Sequence, residues 1–423
     1  MIPSINPLVL NLKESATLHI NTTVKKLRSE GRKVNHFGFG EAAFPVPKLL
    51  QEGLIDHASH NEYLPTQGLL ELREALCAYL KKEHQLEYTA EDVFIGPGSK
   101  ELIFQLSYLV EGILLVPAPS WVSYGPQAAM RGKTLIPIQT KRENSYRLQA
   151  DELDRACFEM GQEQKLLILN NPNNPTGSVY TEEELKEIAE ICRAYNVIVI
   201  SDEIYAGIDF TGRPHVSIAR FYPEGTIVST GLSKLFAGGG YRLGAMIIPP
   251  TLQIIKDSLS AIISETFSCV SCPVQYAALN GYSRFDELRE ELNTNRDIYR
   301  YASEYLWDRF TAMGLNCPKP EGAFYLFPDF DNYREKLKAH GILTGKALVE
   351  KLLLDVGVAL LPGSDFYFPA TNLGVRTASV DFDGKFVREN WPGRDGMNEE
   401  WEKKLFPSLI EGCDRLEAFL KNL

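Results

Sequence analysis

Lys165–Tyr205 reads KLLILNNPNNPTGSVYTEEELKEIAEICRAYNVIVISDEIY, and this stretch decides the architecture. The apolar run Lys165–Leu169 predicts a buried strand, and Asn170–Gly177 breaks it with two Asn-Pro steps and a glycine. Thr181 to Ala194 carries helical periodicity, opened by Thr181 with Glu184 three residues on, the pattern of a capping box. Val197–Ile200 then predicts a second strand, ending on Ser201-Asp202. Working outward, similar apolar, β-branched runs occur at Val93–Ile95, Gly112–Val116, Thr134–Ile138, Thr226–Ser229 and Ala245–Ile248. Buried strands alternating with helices imply an α/β fold with a mostly parallel sheet covered on both faces. In such sheets ligands gather beyond the carboxyl ends of the strands.

A second region follows. Phe285 to about Met313 has one long helical pattern, with Leu288, Leu292, Ile298, Ala302, Tyr305 and Phe310 on its apolar stripe. Its length suits a helix leading from a large domain to a smaller one, and 423 residues suit two domains. Glu389–Glu399, rich in Gly, Asn and charge, reads as a surface insertion.

Composition narrows the function classes. The chain has 44 basic and 55 acidic residues, a net charge of −11, which argues against nucleic acid or an anionic membrane as partner. No apolar run approaches the ~20 residues of a membrane span. Met1–Leu12 lacks a basic n-region, so no secretory signal is expected. The seven scattered cysteines do not form a disulfide framework and fit a reducing cytoplasm. Cys269 and Cys272 make a lone C-x-x-C without a second pair, and no metal is expected there. Asn21-Thr22-Thr23 is a glycosylation sequon only if the protein is secreted.

Four strand ends carry unusual chemistry. Gly96-Pro97-Gly98-Ser99-Lys100 leads into a helical stretch, so free N–H groups and a positive dipole end could receive a phosphate, although a plain capped turn has the same composition. Asn170–Gly177 is richer in turn residues than a connection needs, yet it is also a possible simple loop. Asp202, just past a buried strand, either faces a cation or caps the next helix. Lys234 follows Thr230-Gly231-Leu232-Ser233; desolvated among small residues, a lysine becomes an amine able to form a Schiff base. Arg242, eight residues later among glycines, has the planar fork that grips phosphate.

The order Asn-Pro-Thr-Gly, then Asp-x-x-Tyr, then Ser-Lys with Arg eight on resembles the pyridoxal 5′-phosphate (PLP)-dependent fold-type I aminotransferases of class I/II, along nearly the whole chain. The resemblance implies that PLP is held as an internal aldimine on Lys234, whose amine moves a proton between substrate Cα and cofactor. It implies that Asp202 keeps the pyridine nitrogen protonated, and that Tyr205 and Asn174 donate hydrogen bonds to the phenolic oxygen. Ser99, Lys100 (mainly through backbone N–H) and Arg242 match the phosphate contacts, and Trp121 the residue stacked on the ring. Tyr63 resembles a tyrosine reaching the phosphate of the neighbouring subunit, which implies a homodimer with shared active sites; Ser268 aligns only loosely with another such residue. Arg376 matches the clamp on the substrate α-carboxylate, and Gly40 the loop that closes over substrate. Glu321–Tyr325 and Leu361-Pro362-Gly363 with Phe366 match the small-domain pattern.

The implied fold has a seven-stranded sheet in a large domain of residues 46–299, and a smaller α+β domain from 1–45 and 300–423. The implied activity moves an amino group from an amino acid to a 2-oxo acid. A lyase or synthase on the same scaffold is the alternative, because these residues serve its first steps equally. One position departs from the pattern: Gly231 stands where a phosphate-contacting serine is usual, and Thr230 or Ser233 is expected to compensate. Phe37, Phe39, Tyr124 and Phe324 suit either large apolar substrates or core packing. Residues after Asp381 match no family pattern.

Overall fold

The computed structural model describes residues 4–10 and 12–423. The part of the N-terminal signal reading that rests on residues 1–3 and 11 lies outside them. A seven-stranded sheet is built from β1 (Val93–Gly96), β2 (Ile113–Ala118), β3 (Leu135–Gln139), β4 (Lys165–Asn170), β5 (Ile198–Asp202), β6 (Thr226–Gly231) and β7 (Gly244–Ile247). Their spatial order is β1-β7-β6-β5-β4-β2-β3. Only β7 runs antiparallel, against both β1 and β6. Every residue of β2 and β4 is buried, which is why these strands read as unbroken apolar runs and not as alternating ones.

Parallel register aligns the carboxyl ends. Asn170 of β4 lies opposite Asp202 of β5, and Asp202 lies opposite Ser229 of β6. Two helices feed this edge. α1 (Ser99–Leu109) starts directly after β1, with Gly98 at φ +95° making the turn. α2 (Glu182–Ala194) is held at its start by the expected capping box, Glu184 N–H to Thr181 Oγ1 at 3.2 Å and Thr181 N–H to Glu184 Oε2 at 2.8 Å. Such a cap contributes about 1 kcal/mol. α2 buries Leu185, Ile188, Ala189 and Cys192, one face of the 3.6-residue period.

The long helix α3 covers Phe285–Ala312 and buries Leu288, Leu292, Ile298, Ala302 and Phe310 as the stripe predicts; Tyr305 is half-buried, with Leu306 taking the deeper position. Beyond it, Val375–Ala378 pairs antiparallel with both Leu361–Pro362 and Tyr325–Leu326. Asn35–His36 pairs in parallel with Val358–Ala359, so the N-terminal segment closes onto the C-terminal part. Phe37 and Phe44 join one apolar cluster with residues of the last third of the chain, including Leu409, Leu416 and Leu420.

Residues 389–399 lie at the surface, as read, but they are clamped. Trp391 packs edge-on against Tyr301 at 5.6 Å, and the Arg394 guanidinium meets Glu304 at 2.6 Å. Among the described residues no helix is long and apolar enough to cross a membrane.

Candidate active site

The aligned strand ends open into a cleft of about 510 Å³. Its walls include Gly40, Ser99, Lys100, Trp121, Asn174, Asp202, Tyr205, Lys234, Arg242 and Arg376, so ten of the sequence-assigned residues converge on it. Tyr63 does not; its side chain is 90% exposed. Ser268 is also absent from the cleft wall.

Asp202 lies at the floor. Tyr124 donates to its Oδ2 at 2.7 Å, whereas Oδ1 is buried and has no hydrogen-bond partner among the described residues. Burial pushes the carboxyl up to about 6, against the opposing pull of the Tyr124 hydroxyl. Asn170, next to it in register, donates from Nδ2 to the Asp202 carbonyl at 2.8 Å and accepts from the Asn174 N–H at 2.7 Å. The Asn-rich loop is therefore a scaffold whose amides satisfy the backbone around the acid. Its Asn171–Pro172 bond is cis.

Lys234 donates to the Gly40 carbonyl at 2.8 Å, and its ammonium lies 5.3 Å from the Phe324 ring centre and 5.5 Å from that of Tyr205. The Tyr205 and Tyr325 hydroxyls are 3.0 Å apart, and Tyr325 also reaches the Gly40 carbonyl at 3.3 Å. Burial, then the neighbouring Tyr325, holds the Tyr205 phenol well above its usual range.

At the start of α1, Arg242 donates to the Gly239 carbonyl at 2.8 Å and to the Pro97 carbonyl at 3.2 Å. Its backbone is left-handed at φ +52°, which costs a residue with a side chain about 1–2 kcal/mol. Gly98 holds a left-handed φ of +95°, and a Cβ there would press on the Arg242 guanidinium, so the glycine leaves room for Arg242 against this helix start. Lys100 holds its ammonium 5.0 Å over the Trp121 ring; burial and then Arg242 lower its pKa. Trp121 in turn meets Tyr124 edge-on at 5.3 Å.

Arg376 lines the cleft and is buried. It donates to Asn174 Oδ1 at 3.3 Å and to the Gly38 carbonyl at 2.7 Å, with its plane over Tyr325, while Nε has no partner among the described residues. Desolvation lowers its pKa, the cost of a buried cation whose contacts are neutral. The cleft thus combines an amine, a buried acid with an empty lone pair, an anion-ready helix start and a buried guanidinium.

Residues 33–381 match the model of the family described as aminotransferase class I and II. The chain belongs to this family. The aminotransferase is 34% identical over 395 residues to the aspartate aminotransferase of Geobacillus stearothermophilus, covering 90% of this chain and 98% of that protein. Its fold is similar to the Thermus thermophilus aspartate aminotransferase solved with maleate, with a TM-score of 0.85, 26% identity and coverage of 99% and 100%. It is also similar to the aromatic aminotransferase of Pyrococcus horikoshii, with a TM-score of 0.78, 30% identity and coverage of 94% and 99%. The family is PLP-dependent, and the chain is a PLP-dependent transaminase; the lyase or synthase reading is not favoured. The residues present fit that cofactor. Asp202 Oδ1 is free for a protonated ring nitrogen, Lys234 offers the amine, and Ser99 and Arg242 flank a phosphate-sized helix start.

Sequence reasoning did not assign Tyr124, Tyr325 or Asn170 to roles here. Tyr124 and Tyr325 lay inside segments already singled out, but their partners are set by long-range packing. Thr17, Leu18, Phe39, Glu41 and Ala42 also line the cleft, brought in by the N-terminal segment. Phe37 instead belongs to the core, and Phe324 is wholly buried beneath Lys234. Of the two expected substitutes for the missing serine, Ser233 lines the cleft, whereas Thr230 faces Tyr282.

Proposed function

We propose that the aminotransferase takes a dicarboxylic amino acid, aspartate in the first instance, as amino donor and passes the nitrogen to a 2-oxo acid. The observation that carries the catalytic reading is the pairing, in one cleft, of the Lys234 amine with the partnerless buried oxygen of Asp202. When bound, PLP supplies an aldehyde that condenses with amines and a ring that accepts electrons from the substrate Cα. Asp202 keeps a proton on the ring nitrogen through Oδ1. Lys234 would hold the cofactor and, as a free amine, move the proton between the substrate Cα and the cofactor carbon. Tyr205 and Asn174 would hydrogen-bond the ring oxygen, Trp121 would support the ring, and Ser99, the Lys100 N–H and Arg242 would hold the phosphate. Arg376 receives the α-carboxylate with its planar fork, and the Gly40 segment covers the substrate.

The substrate class rests on Lys100. Its ammonium stands in the cleft over an aromatic face, while only its backbone N–H is needed for phosphate. A distal carboxylate would complement it, as the names of several relatives suggest. We also propose a homodimer in which Tyr63 enters the partner's site, supported by its exposure. The seven free thiols support a reducing, cytoplasmic setting. The division into residues 46–299 and 1–45 with 300–423 is proposed likewise, supported by the pairing of Asn35–His36 with Val358–Ala359.

A panel of amino donors against 2-oxoglutarate tests the reading. Aspartate should give the highest kcat/KM, and Lys234→Ala should abolish the visible cofactor band and cut turnover by about 10²–10⁴-fold or more. Lys100→Ala should raise KM for aspartate and leave KM for alanine unchanged. A preference for aromatic donors, with aspartate KM unmoved in Lys100→Ala, would overturn the substrate assignment.

A further inference from the structure

We infer that a second cavity, of about 470 Å³ and separate from the cleft, binds a small phosphate-bearing anion. Its volume lies in the range of small-molecule sites, roughly 300–1,000 Å³. None of the residues assigned to substrate or cofactor lines it. One wall is the long helix α3, where Arg289, Asn293, Arg296 and Arg300 recur at the spacing of one helical face. Glu83 and Asp286 hold Arg289 at 2.7 and 2.8 Å, and Glu304 holds Arg300 at 3.1 Å. Arg296, between them, has only the neutral Asn293 Oδ1, at 2.9 Å. Another wall is the loop after Tyr205, whose exposed Arg213 has no acidic partner among the described residues. The acids of the wall do not offset these two cations. Glu83 serves Arg289, and Asp209 accepts from the Thr211 N–H at 2.7 Å and its hydroxyl at 2.6 Å. Asp297 alone is left, and it is exposed. Two unpaired guanidiniums in a chain of net charge −11 make a local site for an anion, and their planar forks match phosphate oxygens.

Two buried imidazoles in the same wall point to a ligand independently. His84 and His215 are buried, and the Nδ1 of each has no hydrogen-bond partner among the described residues. His215 Nε2 donates to Glu203 Oε2 at 3.1 Å. The Tyr79 hydroxyl stands 3.2 Å from His84 Nε2 and has no other acceptor among the described residues. A phenol O–H given to Nε2 leaves the His84 proton on Nδ1, a donor without an acceptor. Buried polar groups are ordinarily paired, and an anionic ligand would supply what is missing here. No lining residue comes from residues 60–68 or 268–272, the segments that the proposed shared-site dimer places at the subunit contact. The cavity also backs onto the cleft. Gly207 and Leu235 stand in its wall, two residues after Tyr205 and one after Lys234, and Gly207 leaves room for the Leu235 side chain. Arg296 further lines a narrow void that reaches Lys234. A ligand held by Arg296 and Arg213 would therefore press on the two segments that carry Tyr205 and Lys234.

The test titrates the full-length, PLP-loaded enzyme with inorganic pyrophosphate in a calorimeter at physiological ionic strength. Loading fills the phosphate position of the cleft and relies on the cofactor reading, whereas the two cavity arginines lie outside the cleft. One pyrophosphate per chain should bind. Arg213→Gln and Arg296→Gln should each weaken binding by roughly tenfold or more, the scale of a lost hydrogen bond to a charged group. Arg155→Gln, which removes a cation that is 69% exposed elsewhere, and Lys100→Ala, in the cleft, should leave the affinity unchanged. The cofactor band reports that each variant is folded. An equal loss in Arg155→Gln would reduce the attraction to net charge, and a loss in Lys100→Ala would place the anion in the cleft. Either result, wild-type affinity in both cavity variants, or no saturable binding, would overturn the site.

Discussion

Asp202 is an acid held where its charge is costly. Burial raises its pKa from 3.8 to about 6, despite the Tyr124 hydroxyl on Oδ2. In cofactor-free protein the native state therefore binds this proton more tightly than the unfolded chain does. Stability consequently falls as pH rises from about 4 to about 6, and above that the loss is complete. Two pH units correspond to roughly 3 kcal/mol. Cofactor-free Asp202→Asn should accordingly be more stable than wild type at pH 7, with the gap closing between pH 6 and pH 4. Urea melts across that range measure it, and a gap independent of pH would show that the acid is not desolvated. The same side chain marks where the sequence was legible. Asp202 and Lys234 stood out because each follows an apolar strand, a local signal, but their roles came from the order of motifs that carries the resemblance. Tyr124 was not assigned, because its partner lies 78 residues away and only the order of the strands brings them together.

Among the elements, the seven apolar runs became seven strands with ends displaced by one or two residues. The antiparallel direction of β7 was not legible, since a buried Ala-Met-Ile run has the same pattern in either sense. What β7 does reveal is why the expected serine is missing. Gly231 of β6 lies opposite Gly244 of β7, which also faces Gly96 of β1. A Cβ at Gly231 would come within 2.8 Å of both Gly244 Cα and the Leu243 carbonyl, closer than real Cβ contacts. The clash is with backbone, which cannot rotate away. Gly231→Ser should therefore not restore a phosphate contact but force β6 and β7 apart, at about 1–3 kcal/mol. Thermal unfolding of the loaded and unloaded variant would check it, and an unchanged Tm with tighter PLP binding would refute the packing argument. On the proposed assignment, the cleft wall around Ser233 and Arg242 would carry the phosphate without that hydroxyl.

At the level of the whole molecule, pairings as short as Asn35–His36 with Val358–Ala359 leave no periodic trace, so the N-terminal contribution to the cleft came from resemblance and not from pattern. The assembly has a sharper test in Tyr63, an aromatic left 90% exposed and outside its own chain's cleft. Exposing a tyrosine forgoes burial worth roughly 1.5–3 kcal/mol for a side chain of that size, which a second subunit could recover. If Tyr63 serves the partner's phosphate, a dimer of one Lys234→Ala chain and one Tyr63→Phe chain contains one doubly defective site and one wholly intact site. Were Tyr63 to serve its own chain, neither site would be intact. Differently tagged chains, co-expressed and purified as mixed dimers, should hold one PLP with wild-type affinity and show half the wild-type turnover. Tyr63→Phe homodimers should lose PLP faster on dilution. Mixed dimers without any tightly held cofactor would place Tyr63 outside a shared site, whatever Lys234 does.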